Sequence, residues 1–449
     1  MKFFSKSLNR AIPFQLGAIL LASAATSFGH TNGHDYLHHW ELASPDPDRI
    51  FLTFHGDPAT SRAVTWRTDS SVTKAVAQIA PATARPDFFE SAITFSATTE
   101  TVDLQTEPLN QQEDTNYHSV VFDNLAPETL YAYRVGDGKD RWSEWIQFRT
   151  ASKKQKPFSF VYFGDAQNDI LSRWSRVIRM AYQKAPDASL VVHAGDLVNE
   201  GHFDSEWAEW FKAGSFIHSQ WTGIPVLGNH EFRVLSTQRK DKIKTRAFLW
   251  RPQFTLPVEK ELPETLHETV YTIDYQGVRF IVLDSMREVA KQAEYLEKQL
   301  KSSGAKWNIV VSHYSLFALK TGRGEEIRRL WKPILDKYGV DLMLQGHDHA
   351  YARGHVPVRA TDGSYGSEFE TMYVTSVSGP KQYEISPGLL ESYAPDGYNN
   401  DSKAMQQQFF QVIDVDGNRL TYKAYTADGE LFDEATIRKD PSTGKKVLE

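Results

Sequence analysis

The sequence contains five short apolar runs that each end in a polar cluster, and this pattern is compatible with few folds. Short apolar runs bounded by turn-forming residues are typical of buried β-strands. In an α/β sheet, ligands bind beyond the carboxyl ends of such strands, so the clusters are expected to meet at one edge. The clusters are Gly164-Asp165-Ala166-Gln167, Gly195-Asp196-Leu197-Val198-Asn199, Gly228-Asn229-His230-Glu231, Ser312-His313 and Gly346-His347-Asp348-His349.

The residue types in these clusters are those that bind metal ions. Taken singly, each Gly-Asp or Gly-Asn pair is an ordinary turn. Five successive strand ends that all carry Asp, Asn or His are hard to explain as turns alone. The two imidazoles of His347 and His349 leave the same strand end and suit two neighbouring metal positions. The chain contains no cysteine, so His, Asp, Asn, Gln, Glu or Tyr would have to hold any metal.

The segment that carries the clusters reads as an α/β domain over residues 157–435. From Pro157 onward, strand-like runs alternate with helix-like segments, beginning with residues 158–163 and 169–184. Later strands without intervening helices predict antiparallel additions to the sheet, with Asp416 and Gly417 as a hairpin turn.

The preceding residues, 48–150, read as an all-β domain. About seven strand-like segments rich in Val, Thr, Tyr, Phe and Trp are separated by turn signals, a pattern typical of a fibronectin type III-like sandwich. Residues 93–104 are predicted to form one continuous strand. This domain carries no catalytic cluster, so its expected task is to support the α/β domain.

The N-terminus predicts export, to the periplasm or outside the cell. Residues 1–24 combine basic residues, an apolar stretch and Ala22-Ser23-Ala24, the pattern of a cleavable signal peptide, and residues 25–47 read as a linker. No later stretch is long and apolar enough to predict stable membrane insertion after cleavage. The net charge of −7, without a long basic run, argues against nucleic acid as a partner.

The order of the clusters resembles the calcineurin-like metallophosphoesterases, whose signature is GD, GDxx, GNH, a lone His and GHxH. The flanking residues and the preceding all-β domain are most similar to the purple acid phosphatases. This resemblance implies an α/β fold, a four-layer metallophosphoesterase β-sandwich flanked by helices, after an all-β fibronectin type III-like domain.

The resemblance also implies two metal ions and a role for each cluster. Asp196 would bridge the ions, and His230 would lie beside them, near the phosphate. The implied metal ligands, first site before second, are Asp165, Asp196 and His349, then Asp196, Asn229, His313 and His347. Because two cations acidify a bound water, the implied reaction is attack of a metal-bound hydroxide on phosphorus.

Two departures from the family pattern leave the first metal's ligands open. The tyrosine of the GDxxY cluster is replaced by Asn199, so a ferric ion held by phenolate is not implied. The histidine that many relatives carry in a DxH cluster is replaced by Gln167. Asn199 is preferred here as the additional ligand, with Gln167 as the alternative. The metals remain open among Fe, Mn, Zn and Mg.

The predicted function is hydrolysis of a small phosphoester, with acid-phosphatase-like monoesterase activity favoured. His230 can bind phosphate or protonate the leaving alkoxide; alternatively it is a core histidine tied to Glu231. Arg323 can hold a substrate group, or lie on a solvated loop. A phosphodiesterase using the same centre and a non-catalytic phosphate- or ligand-binding protein are the alternative functions.

Overall fold

The computed structural model describes residues 38–104, 114–234, 244–359 and 365–449. The predicted export signal and the first part of the predicted linker lie outside these ranges. No helix in the described ranges is long and apolar enough to cross a membrane.

The first domain consists of two four-stranded antiparallel sheets with an aromatic-rich core between them. One sheet has the order β1-β2-β6-β5 and is continued by a parallel pairing of Thr53 in β1 with Gly223 of the second domain; the other has the order β4-β3-β7-β8. The strands are β1 (Asp48–Thr53), β2 (Arg62–Asp69), β3 (Val76–Pro81), β4 (Ile93–Ser96), β5 (Thr98–Val102), β6 (Thr115–Phe122), β7 (Leu130–Gly136) and β8 (Ile146–Arg149).

The predicted single strand over residues 93–104 is wrong. The chain forms β4 and β5 instead, which pair with strands of different sheets. At Ala97 the backbone N–H donates to the Ala75 carbonyl at 2.9 Å, and the chain changes sheets at this point. A crossing of this kind keeps both segments extended, so the residue pattern alone does not reveal it.

The second domain contains the remaining strands and the α-helices. Its strands are β9 (Phe158–Phe163), β10 (Leu190–His193), β11 (Thr222–Pro225), β12 (Phe232–Val234), β13 (Lys244–Arg246), β14 (Tyr271–Tyr275), β15 (Val278–Leu283), β16 (Trp307–Ser312), β17 (Leu342–Gln345), β18 (Tyr351–Arg359), β19 (Tyr365–Thr375), β20 (Asn399–Ala404), β21 (Phe409–Asp416), β22 (Arg419–Thr426), β23 (Leu431–Lys439) and β24 (Lys446–Leu448). Its α-helices are α1 (Ser175–Lys184), α2 (Asp204–Gly214), α3 (Phe216–Gln220), α4 (Trp250–Gln253), α5 (Val289–Lys301) and α6 (Glu325–Tyr338).

Two mixed sheets form the centre of this domain. The first has the order β11-β10-β9-β21-β22-β23-β24, and the second β14-β15-β16-β17-β19-β18-β20. Buried residues of β9 and β15 meet between the sheets, for example at the edge-to-face contact of Phe160 with Phe280. Residues of α5 and α6, such as Leu296 and Trp331, pack on the outer face of the second sheet. The predicted α/β architecture after an all-β domain is confirmed.

A buried ion pair joins the first domain to the second near the start of α2. Arg49 donates to Asp204 at 2.6 Å, and Arg67 donates to the other carboxylate oxygen at 3.1 Å. All three side chains are buried. A buried carboxylate is tolerated when it is paired in this way. Because α2 follows the polar cluster of Asp196, this contact also positions one loop of the site described below.

His218 makes the core of the second domain sensitive to acid. Its ring stacks on Trp210 with 3.9 Å between ring centroids, and its Nε2 lies 3.3 Å from the Trp210 carbonyl. Its Nδ1 has no hydrogen-bond partner in the described part of the chain. Protonation would therefore bury a second N–H without an acceptor, and burial lowers the pKa of His218 to about 3.

We expect the free energy of unfolding to fall with acidification below pH 6.5. The unfolded chain takes up a proton on His218 near pH 6.5, whereas the folded chain resists protonation until about pH 3. This contribution is complete above pH 6.5 and is lost as the pH falls, by about 1.4 kcal/mol per pH unit. Urea unfolding at several pH values measures the slope. The variant His218→Gln should have a slope shallower by that amount, and an unchanged slope would contradict the assignment.

Candidate metal centre

The five polar clusters meet at the carboxyl edges of the two sheets. β9 and β10 run parallel in the first sheet, and β15, β16 and β17 run parallel in the second, so their following loops approach one another. Two groups of possible ligand atoms result, each lying within 4.8 Å of one another and sharing Asp196. The groups are Asp165, Asp196 and His349, and Asp196, His313 and His347.

Glycines precede the ligand residues because the loops approach too closely for a side chain. A Cβ atom at Gly228 would lie 2.3 Å from Asp196 Oδ1. At Gly195, where φ is +85°, a Cβ atom would lie 2.5 Å from His313 Nδ1. Any larger residue at these positions would displace a ligand side chain. This is the physical reason for the Gly-Asp and Gly-Asn pairs that mark the clusters in the sequence.

At the second group, one potential ligand atom each from His313, Asp196 and Asn229 lie close together. Too few protons are available for all three to be hydrogen-bonded to one another. His313 Nδ1 lies 2.9 Å from the Ala194 carbonyl, which can only accept, so Nδ1 carries a proton. His313 Nε2 then faces Asp196 Oδ1 at 3.2 Å and Asn229 Oδ1 at 3.1 Å. Burial opposes charge on this ring, but the nearby carboxylates outweigh it and raise the pKa of His313 to about 9. The pocket therefore attracts a cation, whether a proton or a metal ion.

In the first group, two buried oxygen atoms have no hydrogen-bond partner in the described residues: Asp165 Oδ1 and Gln167 Oε1. Asp165 Oδ1 lies 3.7 Å from His349 Nε2. Gln167 Nε2 lies 3.0 Å from both Asp196 Oδ2 and His349 Nε2. Burial raises the pKa of Asp165 well above its usual value, and the charge of Asp196 adds to the shift. Unsatisfied buried acceptors of this kind are expected where a cation binds.

Two of the imidazoles are suited to bind metal as neutral ligands. His349 Nδ1 donates to the Lys381 carbonyl at 2.9 Å, which leaves Nε2 directed at Asp165 and Gln167. Burial lowers the pKa of His349 to about 3 and that of His347 to about 2. Neutral imidazoles of fixed tautomer are the form that coordinates metal.

His230 lies beside these groups but belongs to neither of them. Its Nδ1 lies 2.5 Å from the Asn199 carbonyl and 2.8 Å from Arg233 Nη1, and its Nε2 lies 3.8 Å from Asp196 Oδ2. Arg233 also donates to the Asn199 carbonyl, at 2.8 Å. The ring is therefore held at one nitrogen while the other faces the centre.

Glu231 does not hold His230. Its carboxylate accepts backbone N–H groups from Asp196 at 3.0 Å, Val198 at 3.1 Å and Gly228 at 2.9 Å. It thus fastens two ligand loops to each other. The sequence analysis did not predict this role, although the acidic residue that ends the third cluster was the available signal.

Asn199 and Arg323 contact the site through interactions that the sequence did not predict. The Asn199 backbone carbonyl is the acceptor for His230, and its N–H donates to Glu206 at 3.2 Å. Arg323 donates to Asp348 at 2.7 Å, and Asp348 also accepts the Leu319 N–H at 2.7 Å. Asp348 stands between two candidate ligands, so this pair holds the last ligand loop.

Two known families match consecutive parts of the chain. The family described as the N-terminal domain of purple acid phosphatases matches residues 47–150, and the family described as calcineurin-like phosphoesterases matches residues 158–351. The chain is a purple acid phosphatase-like protein. All five polar clusters lie within residues 158–351, so the second match covers both groups of candidate ligands.

Individual relatives agree with this assignment. An uncharacterised Mycobacterium tuberculosis protein is 25% identical over 368 residues, which are 73% of this purple acid phosphatase-like chain and 65% of the relative. The Arabidopsis thaliana protein named Fe(3+)-Zn(2+) purple acid phosphatase 12 is 27% identical over 259 residues, 53% of this chain and 52% of the relative. The chain thus spans less than two thirds of the mycobacterial relative and about half of the plant relative.

A solved structure shares the fold. Purple acid phosphatase PPD1 from yellow lupin (Lupinus luteus) seeds superposes with a TM-score of 0.71 at 20% identity, over 89% of this chain and 76% of the lupin chain. Membership of this group implies a centre for two metal ions. The residues of the purple acid phosphatase-like chain fit such a centre, because both ligand groups share one carboxylate and the buried oxygens of Asp165 and Gln167 beside the first group have no partner among the described residues.

Proposed function

We propose that this chain hydrolyses phosphomonoesters with two metal ions. The observation that carries the proposal is the pair of buried ligand groups that share Asp196. A carboxylate between two cations lets them stand a few ångströms apart, the arrangement used in two-metal phosphoryl transfer. When bound, the two ions supply charge stabilisation for the phosphoryl oxygens and make a water molecule acidic enough to attack phosphorus.

We assign the ligands as the family pattern implies. Asp196 would serve both ions, and each remaining side chain would serve one of them. Asp165 and His349 would hold the first ion, and Asn229, His313 and His347 would hold the second. The short distances of His313 Nε2 to Asp196 and Asn229 support the second set. The neutral amide of Asn229 would add a ligand without adding negative charge to the second site.

For the additional ligand of the first ion, we propose Gln167 in preference to Asn199. The Gln167 amide is fully buried between Asp196 and His349, and its oxygen has no partner among the described residues. Turning the terminal amide over would exchange its nitrogen for that oxygen and direct a neutral ligand at the cation. The contacts of Asn199 with His230 and Arg233 use its backbone carbonyl instead.

Gln167→Ala is therefore expected to lower the affinity of the first ion by about 10- to 100-fold. Removing the amide takes one ligand from the first group and leaves Asp165, Asp196 and His349. Titration of a chelator against the metal-loaded protein, followed by elemental analysis, measures the loss. Asn199→Ala is the matched control and should retain both ions. If Asn199→Ala loses the ion and Gln167→Ala does not, the assignment is reversed.

The remaining residues act on the substrate. His230 faces the centre through Nε2, because Nδ1 is occupied by the Asn199 carbonyl. An imidazolium there can donate to phosphate and then transfer its proton to the leaving alkoxide. Arg323 contributes positive charge at the edge of the site while its pairing with Asp348 holds the ligand loop.

The function is tested by metal analysis of the purified protein and a phosphoester panel. We expect about two equivalents of metal and turnover of p-nitrophenyl phosphate above that of bis(p-nitrophenyl) phosphate. Faster cleavage of the bis-ester would make the chain a phosphodiesterase. Binding of phosphate by metal-loaded protein without any turnover would make it a non-catalytic binding protein.

We further propose that the metals are divalent and that the protein is exported. The plant relative is named for an Fe(3+)-Zn(2+) pair, but the first group here offers only carboxylate, imidazole and amide ligands. Such a set suits Fe(II), Mn, Zn or Mg. Export is tested by fractionation and by N-terminal sequencing of the mature protein, which should begin after Ala24.

A further inference from the structure

Three positively charged side chains lie around the ring of Tyr383, next to the metal centre. Its ring contacts that of His349, with 4.6 Å between centroids. Three cationic groups lie over the same tyrosine ring: Lys320 at 5.6 Å, Arg323 at 5.6 Å and Lys381 at 5.7 Å from its centroid. Contact with an aromatic face stabilises one cation, but it does not remove the mutual repulsion of three.

Two of these cations lack a carboxylate partner. Arg323 is paired with Asp348 at 2.7 Å. Lys320 and Lys381 form no ion pair with any carboxylate of residues 38–104, 114–234, 244–359 or 365–449, and both are half-buried. The whole chain has a net charge of −7, so this concentration is not a sign of general basicity. A site of this composition is completed by an anion.

The same residues adjoin the metal centre. The backbone carbonyl of Lys381 accepts a hydrogen bond from Nδ1 of the candidate ligand His349 at 2.9 Å. Arg323 donates to Asp348, which lies between His347 and His349 in the last cluster, at 2.7 Å. The ring of Tyr383 contacts the candidate ligand His349 and also carries the three cations, so the positive charge lies beside the centre.

We propose that Lys320, Lys381 and Arg323 around Tyr383 bind a second phosphate group of the substrate. This proposal rests on the proposed phosphoester hydrolysis and specifies its substrate class: phosphoesters whose leaving group carries a further phosphate. The scissile phosphate occupies the metal centre, and the second phosphate lies across Tyr383 between the two unpaired lysines. Lysine binds phosphate as a point charge, and two of them accept it without a fixed orientation.

Fructose 1-phosphate and fructose 1,6-bisphosphate share one scissile ester and differ by a second phosphate, which makes them a suitable pair. We expect the bisphosphate to have the higher kcat/KM. Lys320→Met and Lys381→Met should each reduce the ratio of the two kcat/KM values by about five- to tenfold, mainly through KM of the bisphosphate. Raising the ionic strength should reduce the ratio in the parent protein. Arg323 is left intact because its substitution would also release Asp348.

Lys337→Met is the matched control. Lys337 also lies over a tyrosine, 5.1 Å from the Tyr338 centroid. It stands at the carboxyl-terminal end of α6, just before β17 begins, whereas the metal centre follows the carboxyl ends of the strands. Its substitution should leave the ratio unchanged. Equal loss with both substrates in the Lys320 and Lys381 variants would overturn the proposal, as would a ratio that neither variant changes.

Calorimetry separates this proposal from the proposed function. Metal-loaded protein is titrated with inorganic phosphate and with fructose 1,6-bisphosphate under conditions in which any turnover is followed independently. Tighter binding of the bisphosphate that is lost in the lysine variants supports the second phosphate site, even if no ester is cleaved. Turnover of monoesters combined with equal affinity for both anions overturns the second site and leaves the hydrolase intact.

Discussion

Asp196→Ala is expected to abolish hydrolysis and to remove both metal ions. Asp196 is the only residue common to the two ligand groups, and its oxygens face His313 on one side and Gln167 on the other. Without it, two cations would stand together with no anion between them. We expect turnover to fall by at least about a thousandfold and metal content to fall below one equivalent. Elemental analysis after gel filtration and assays with p-nitrophenyl phosphate measure the two effects.

Asp284→Ala provides the matched control for this experiment. Asp284 is also a buried aspartate that follows a parallel strand, but it pairs with Arg287 at 2.8 Å and accepts the Met286 N–H at 2.8 Å. It belongs to neither ligand group. The control should therefore retain metal even if its stability decreases. Full metal content and parent-like turnover in Asp196→Ala would refute the bridging role.

His230→Ala is expected to keep both metals but to slow turnover according to the leaving group. His230 lies outside both ligand groups, and its Nε2 is 3.8 Å from Asp196. If this ring protonates the leaving oxygen, its loss costs about 100- to 1,000-fold for alkyl phosphates. Nitrophenolate leaves without protonation, so p-nitrophenyl phosphate should lose about tenfold or less. Steady-state rates with both esters, together with metal analysis, measure the difference.

Equal losses for the two esters would assign His230 to phosphate binding alone. Loss of metal in His230→Ala would instead make it a support for the ligand loops. His267→Ala is a suitable control, because His267 is half-buried, contacts the Leu262 carbonyl at 3.0 Å and lies in neither ligand group. It should behave as the parent protein with both substrates.

Much of the fold was predictable because its elements have strong local signals. The strand β9 begins and ends where the residue pattern predicts, because it is a continuous apolar run that the sheet buries. β18 was not predicted. Its sequence contains Gly354, His355 and Pro357, which interrupt the strand pattern, and the strand persists because it is paired on both sides, with β19 and β20.

The candidate site was predictable to the level of residue types. Each of the five clusters carries Asp, Asn or His at the end of an apolar run. The glycines that precede these residues indicate that the loops pack closely. Two distinctions were beyond local patterns. The preference between Gln167 and Asn199 depends on which amide faces Asp196, and the task of Glu231 depends on which backbone groups reach it.

Local residue patterns establish the chemistry available to this protein: an all-β domain, an α/β domain, and hard ligands at strand ends without any thiol. How these groups combine depends on the fold, because side chains far apart in the chain become neighbours through sheet pairing. Asp196 comes to lie 3.2 Å from His313, and Tyr383 gathers Lys320 and Lys381 beside His349. Distances of this kind depend on the packing of whole sheets, which no local pattern of residues encodes.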